Sequence, residues 1–204
     1  MLRSDIRTRV RDYLYETTAN IWSDTQLNRL FLEELRSLPD KNIYAEELWT
    51  MSAVVDQQDY ALPSGTVEVE KLERNDGTTS KPDWVEINGW DTYAGAIYLP
   101  FRPTQTDTYR IHIQKKFTDV EDDTTSLDIS NEKSEVLVWG MVIRAYRVLI
   151  GYLRNSVSWD SVTKPGDLSI PRIREWLKEA RDHYNDLLRQ YATQPRPTLI
   201  NLTS

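Results

Sequence analysis

The chain is 204 residues long, carries 25 Lys and Arg against 32 Asp and Glu for a formal net charge of −7, and has no cysteine. That length supplies a sizeable core, while the missing cysteine excludes disulfides, thiolate chemistry and zinc–thiolate sites. The acidic balance disfavours tight sequence-independent binding of nucleic acid, which needs several Lys or Arg on phosphates.

In the first segment Ile6, Val10, Tyr13, Leu14 and Thr17 fall near helical spacing, with Ser4 available as an N-cap. A second helix follows Ile21 and Trp22, either of which can staple the chain to it. Ser23-Asp24-Thr25-Gln26 has capping-box form, and Leu27, Leu30, Phe31, Leu35 and Leu38 make the apolar stripe up to Pro39. From Trp49 the period changes to two: Trp49, Met51, Ala53 and Val55 share one side of a strand, with Thr50 and Ser52 on the other. Further strand signals lie at Tyr60 to Leu62, at Val67, Val69 and Lys71 against Glu68, Glu70 and Leu72, at Trp84 to Ile87, at Ile97 to Leu99, and at Tyr109, Ile111 and Ile113 against Arg110, His112 and Gln114. Asn75-Asp76-Gly77 is a turn signal among them. Strands at this spacing predict a small antiparallel sandwich or barrel-like sheet.

An acidic connection, Thr118 to Ser130, leads to a helix capped near Ser130. Its apolar residues are Val136, Trp139, Val142, Ile143, Tyr146, Leu149, Ile150 and Leu153, a face wide enough for deep burial. After a loop containing Pro165-Gly166, Ser169 and Pro171 start a last helix with the stripe Ile173, Trp176, Leu177, Ala180, Tyr184, Leu187, Leu188 and Tyr191. Gln194-Pro195-Arg196-Pro197 prevents its continuation. Thr198 to Ser204 is apolar, strand-like and without charged side chains, and suits addition to a partner's sheet edge or groove.

Helices from the two ends of the chain pack on each other, so the expected fold is α+β. Residues 1–44 and 129–192 form a four-helix body from the N- and C-terminal helix pairs, residues 45–128 an inserted small antiparallel β domain, and residues 193–204 an extended C-terminal tail. Charge follows this division. Residues 1–40 carry six basic and seven acidic side chains, residues 41–143 nine and nineteen, and residues 144–204 ten and six, so an acidic middle precedes a mildly basic end. No apolar run approaches the roughly 20 residues expected of a bilayer span. Arg3, Asp5, Arg7 and Arg9 leave no signal-peptide core, and the expectation is a soluble, unexported protein.

Reactive groups are scarce. There is no Walker loop, no Gly-x-Gly-x-x-Gly after a strand, no Gly-x-Ser-x-Gly elbow and no His-Glu-x-x-His pair. His112 falls mid-strand on the polar face and reads as structural or solvated. His183, beside Asp182 with Asp186 one turn on, reads as part of a surface ion pair. Glu121-Asp122-Asp123 lacks the alternating spacing of a calcium loop and reads as a solvated loop. No catalytic residue, cofactor or metal ligand is assigned. Trp139 and Trp176 fit helical core stripes and Trp49 a strand face, whereas Trp90 and Trp159 stand in loop-like sequence as candidate interface aromatics.

With two N-terminal helices, an inserted β domain, two longer C-terminal helices and an extended tail, the chain resembles the head-to-tail adaptor (connector) proteins of tailed bacteriophages, including the tail tubular protein A kind. Ile6-Arg7-Thr8-Arg9-Val10-Arg11, Trp22-Ser23-Asp24-Thr25-Gln26-Leu27 and Asp59-Tyr60-Ala61-Leu62-Pro63 carry the resemblance locally, and it covers about residues 4 to 204. It implies a non-enzymatic ring, commonly of twelve copies, under the portal protein in the virion neck, assembled in the host cytoplasm with no membrane contact. Genomic DNA would pass through its channel without specific binding, and a downstream tail or nozzle protein would dock below. The tail residues Pro195, Pro197, Leu199, Ile200 and Leu202 are then candidates for docking to portal, and Glu121, Asp122 and Asp123 for an acidic loop facing the channel or the tail. Two rival readings stand beside it. One is another neck component such as a tail-completion or terminator protein; the other is a carbohydrate-binding or hydrolytic module using Trp84, Trp90, Asp83 and Asp91 around a cleft.

Overall fold

The computed structural model describes residues 1–16, 21–155 and 170–192. The fold is α+β, and the chain divides into two compact units, Met1–Ile43 with Thr118–Ser204, and Tyr44–Phe117.

The first unit is helical. Its α1 (Arg3–Tyr13) starts from Leu2, not from Ser4 as expected. Asp5 Oδ2 accepts a hydrogen bond from the Leu2 N–H at 3.0 Å, so an acid in the first turn, and not the Ser4 hydroxyl, closes the helix start. Ile6 and Val10 are fully buried, while Tyr13 lays its ring against Trp139, with centroids 4.4 Å apart. In α2 (Asp24–Ser37) the capping box forms as read: Ser23 Oγ accepts from the Gln26 N–H at 3.2 Å and Gln26 Oε1 accepts from the Ser23 N–H at 2.9 Å. Leu27, Leu30, Phe31, Leu35 and Leu38 are all buried, as is Trp22 in front of the helix. A 3-10 turn at Pro39–Lys41 and Asn42 in the left-handed region (φ 58°) then end it.

α3 (Asn131–Asn155) is the central element of this unit, in contact with α1, α2 and α4 (Ile170–Tyr191). Ser130 Oγ accepts from the Lys133 N–H at 3.2 Å and caps it as expected. Val136, Leu137, Val138, Met141, Val142 and Ala145 are fully buried, so this stretch is covered on nearly every side. Contrary to the expectation that no segment qualifies, Asn131–Arg154 is long and apolar enough by length and composition to cross a membrane. The apolarity has a local use, since three other helices pack around it.

One buried carboxylate ties these helices together. Glu34 of α2 is 2% exposed and accepts from Lys41 Nζ at 2.5 Å, Arg144 Nε of α3 at 2.6 Å and the Tyr184 hydroxyl of α4 at 2.7 Å. It lies against Gly140 of α3, where a Cβ would stand 2.3 Å from the carboxyl group. Burial pushes the carboxyl upward, yet Lys41, Tyr184 and Arg144 outweigh it and hold Glu34 below its ordinary value. Burial, and then Glu34 itself, push the Tyr184 hydroxyl up.

Thr118 to Asp128, assigned from sequence to the β insertion, belongs to the helical unit. Val120, Leu127 and Ile129 are buried, the Leu127 N–H donates to the Met1 carbonyl at 2.7 Å, and Leu2 bridges to Ser126. Charge pairing explains the placement: Asp119 binds Arg36 of α2 at 2.6 Å, and Asp123 binds Arg3 and Arg7 of α1 at 2.8 and 2.7 Å. These arginines look like ordinary polar surface when each helix is read alone.

The second unit holds seven strands: β1 (Ala45–Ser52), β2 (Asp59–Ala61), β3 (Thr66–Asn75), β4 (Trp84–Glu86), β5 (Asp91–Tyr93), β6 (Ala96–Tyr98) and β7 (Thr108–Lys115). They form two antiparallel sheets, of order β1-β7-β3-β4 and β2-β6-β5. Met51, Ala53, Tyr60, Val69, Leu72, Ile97, Tyr109, Ile111 and Ile113 belong to its core. The alternation read in β1 and β7 holds through Met51 and Ile113, but Val55 is exposed beyond the strand and Gln114 is buried. In β3 the sequence phase fails: Val67 is exposed, and Leu72, placed on the polar side, is fully buried. Register shifts against β7 at Thr66/Glu68 and Val69/Lys71 are the cause, because each extra residue flips the side chains that follow. β5 has no strand signal of its own and is held by pairing with β6.

Two outcomes follow for the helical unit. Gly140→Ala, ordinarily worth up to about 1 kcal/mol in a helix, should instead destabilise by about 1–3 kcal/mol in urea unfolding, because Glu34 is tethered and cannot yield. Glu34 titrates below its ordinary value of 4.5 when folded, so its stabilisation is complete above that pH and lost as pH falls through the folded value. Glu34→Gln should therefore be about 1–3 kcal/mol less stable at neutral pH, and its urea midpoint should fall less steeply on acidification than that of the parent chain.

Candidate functional site

The acidic loop read as solvated is partly consumed by structure. Asp122 accepts from the Thr124 and Thr125 hydroxyls, both at 2.8 Å, and from their N–H groups at 2.7 and 2.6 Å. Those bonds hold it well below the usual carboxylate range. Asp123, bonded to Arg7 and Arg3, is lowered to about 2. Of the three acids, Glu121 stays exposed with no hydrogen bond of its own among those described.

The arginines of α1 behave alike. Arg11 binds Glu16 and Asp24, each at 2.8 Å, and Glu16 accepts from the Trp22 N–H at 2.9 Å. Arg9 pairs with Glu135 of α3 and donates to Ser134 Oγ at 3.1 Å. The run Ile6 to Arg11 is thus a set of clamps joining α1 to its neighbours.

In the insertion, Glu73 is 4% exposed and is met by Arg110, by Lys71 Nζ at 2.7 Å and by His112 Nε2 at 2.9 Å. Arg110 foremost, then Lys71 and His112, hold Glu73 far below its ordinary value against the opposing effect of burial. His112 therefore has a structural partner on the polar face. His183 forms no pair with Asp186, which instead binds Arg189 at 3.1 Å; its ring meets Trp139 edge-on, with centroids 4.7 Å apart.

The residues named for a sugar cleft fall on different sheets. Asp83 and Trp84 stand at β4 of the four-stranded sheet, with the Arg110 guanidinium over the Trp84 ring at 4.4 Å. Asp91 starts β5 of the other sheet, and Trp90 packs partly buried on the insertion's own core. Among the described residues no group of His, Cys, Asp and Glu is placed to hold a metal ion. Trp159 and the tail residues Pro195, Pro197, Leu199, Ile200 and Leu202 lie outside the described residues.

The feature that sequence reasoning missed is an open cleft of about 390 Å³ between α3 and α4. Arg147 and Arg154 border it from α3, Arg174, Lys178 and Arg181 from α4, and Ile150 and Leu177 supply its apolar lining. The spacing was legible. Arg174, Lys178 and Arg181 stand at i, i+4 and i+7 and share one helix face, and Arg147 and Arg154 are two turns apart. Glu175, Glu179, Asp182 and Asp186 fall on a neighbouring face by the same rule. A segment charge total cannot reveal this, because it averages the two faces. Chemically the cleft can hold anionic groups and bury an apolar side chain between them.

The family model described as SU10 adaptor protein matches residues 1–162 of the chain, a span that contains α1 to α3 and the whole insertion, with α4 beyond it. No curated protein matches the chain.

The Glu73 cluster ranks the polar residues of the insertion. Arg110→Ala should cost about 1–3 kcal/mol, since it removes the leading donor to a buried carboxylate. His112→Ala should cost less than about 1 kcal/mol, because Arg110 and Lys71 remain. Chemical denaturation of the two variants checks the order.

Proposed function

The chain belongs to the SU10 adaptor protein family, and we propose that it serves as a structural head-to-tail adaptor of a tailed bacteriophage, forming a ring under the portal. The family match over residues 1–162 carries this reading. It is supported by the use of charge in the described residues: Arg3, Arg7, Arg9, Arg11 and Arg36 are spent on pairs with Asp123, Glu135, Asp24 and Asp119 that join elements of the helical unit, and both described histidines have structural neighbours.

In this reading the mechanism is assembly. Copies join side by side, commonly as twelve, and the ring extends the channel through which genomic DNA passes without specific binding. The insertion supplies apolar surface for a tail or nozzle protein, with Val54, Val55 and Phe101 exposed. Glu121 is the member of the acidic loop left to face the channel or the tail component. The segment after Tyr191 is the portal-docking element: Pro195 and Pro197 favour an extended chain, which lowers the entropy cost of ordering it on a partner. Leu199, Ile200 and Leu202 then supply side chains for pockets along a portal edge.

Deleting Thr198 to Ser204 should leave the circular dichroism spectrum unchanged and abolish binding to portal-bearing heads in a pull-down. Retained binding would rule this assignment out and move the docking surface to the helical unit. A reconstruction of the phage neck with this chain in isolated copies, or elsewhere in the particle, would sink the adaptor reading itself.

A further inference from the structure

The cationic cleft gathers five basic side chains of the helical unit that are left over from its pairing. Arg147, Arg154, Arg174, Lys178 and Arg181 are exposed and have no ion-pair partner among the described residues. Arg3, Arg7, Arg11, Arg36 and Arg144 of the same unit are each paired. Like charges gathered along one groove repel each other, and a partner that brings anions removes the cost. The apolar lining narrows the choice of partner. A phosphate backbone would satisfy the cations but offers nothing to Ile150 and Leu177, so the matching occupant combines carboxylates with an aromatic or aliphatic side chain.

The chain itself carries such a surface on the insertion. β5 and β6 are joined by the two-residue turn Ala94-Gly95, with φ of 51° and 78°, the form that suits a tight hairpin. Tyr60 and Ile97 face the core, so the register sets Asp59, Tyr98 and Asp91 in a row across the opposite, outer face. Ala61, Ala96 and Tyr93 form the next row. Tyr93 is 74% exposed and Tyr98 37%. Asp59 and Asp91 are exposed, and neither has an ion-pair partner among the described residues. An aromatic knob beside a hairpin tip, flanked by unpaired acids, is complementary in both charge and apolarity to the α3–α4 cleft.

We propose that the cleft of one copy receives the β5–β6 hairpin of a second copy, with Tyr93 against Ile150 and Leu177, and Asp59 and Asp91 among the cations. The inference deepens the adaptor reading and rests on it for its use in the ring. Because the two surfaces differ, the contact is heterologous: each copy gives a hairpin and receives one, which closes a ring or continues as a filament.

The absence of cysteine allows a clean test. The full chain carrying both Ala94→Cys and Lys178→Cys, which leaves the Tyr93 knob in place, should on oxidation at rising concentration and in assembled particles give a reducible ladder of covalent multimers, while each single variant stops at dimers. Asp91→Arg or Arg181→Asp added to that background should lower the ladder yield about fivefold, and the two together should restore it. Circular dichroism separates a folding failure from a lost contact. No ladder in either setting, or a disulfide closed within one chain, overturns the proposal. So does a gel shift of short duplex DNA that Arg181→Asp removes and Asp91→Arg does not, which would assign the cleft to phosphates. Particles with an intact ring and no ladder would reject this contact alone; a purified chain that ladders but is absent from the neck would reject the adaptor role alone.

Discussion

The burial of Glu34 between α2, α3 and α4 is the constraint on which the helical unit depends. A carboxylate removed from water is tolerable only when its oxygens are met by donors, and here the donors come from Lys41 after α2, Arg144 on α3 and Tyr184 on α4. Each must sit within hydrogen-bond distance of the same group, so the axial positions of three helices are fixed relative to one another. Gly140 completes the arrangement by leaving room for the side chain. Apolar packing alone would tolerate a slide of one helix along another far more readily than this cluster does.

A second layer of pairing fastens the N-terminal helix both to the residues that follow it and to residues more than a hundred positions away. Arg3 and Arg7 meet Asp123, Arg9 meets Glu135, and Arg11 joins Glu16 and Asp24. Each pair taken singly is partly open to solvent and contributes modestly, yet together they set where α1 lies on α3 and where the strand-to-helix connection returns. The insertion repeats the device on a smaller scale, with Glu73 gathering Lys71, Arg110 and His112 from two neighbouring strands. The buried and half-buried charge of Glu34, Glu73 and the α1 arginines is thus spent on architecture, which fits a part that works by holding its shape among partners. The α3–α4 cleft and the outer face of the β2-β6-β5 sheet carry charge that is not so spent.

Several features were readable from the sequence because their causes are local. The Ser23–Gln26 capping box, the stripe from Leu27 to Leu38, the Ser130 cap and the alternation through Met51 and through Tyr109, Ile111 and Ile113 all depend on spacing within one element, and all form as read. The resemblance to phage adaptors rested on the order of such elements, and the family match upholds it at that coarse level. The candidate site was not legible in this way. Arg174, Lys178 and Arg181 could be placed on one face, but that Arg147 and Arg154 come to meet them depends on how α4 lies along α3.

The sequence by itself therefore determined the kinds of element, their order and most of their buried faces, since side-chain periodicity and capping act over a few residues. Tertiary structure decided the rest: the phase of β3, where register shifts move Leu72 inward, the attachment of residues 118–128 to the helices through Arg3, Arg7 and Arg36, and the membership of the Glu34 cluster. Each of these joins residues far apart in the chain, and which charges meet across such distances is chosen by packing geometry, because a Coulomb partner is selected by position in space and leaves no period in the sequence.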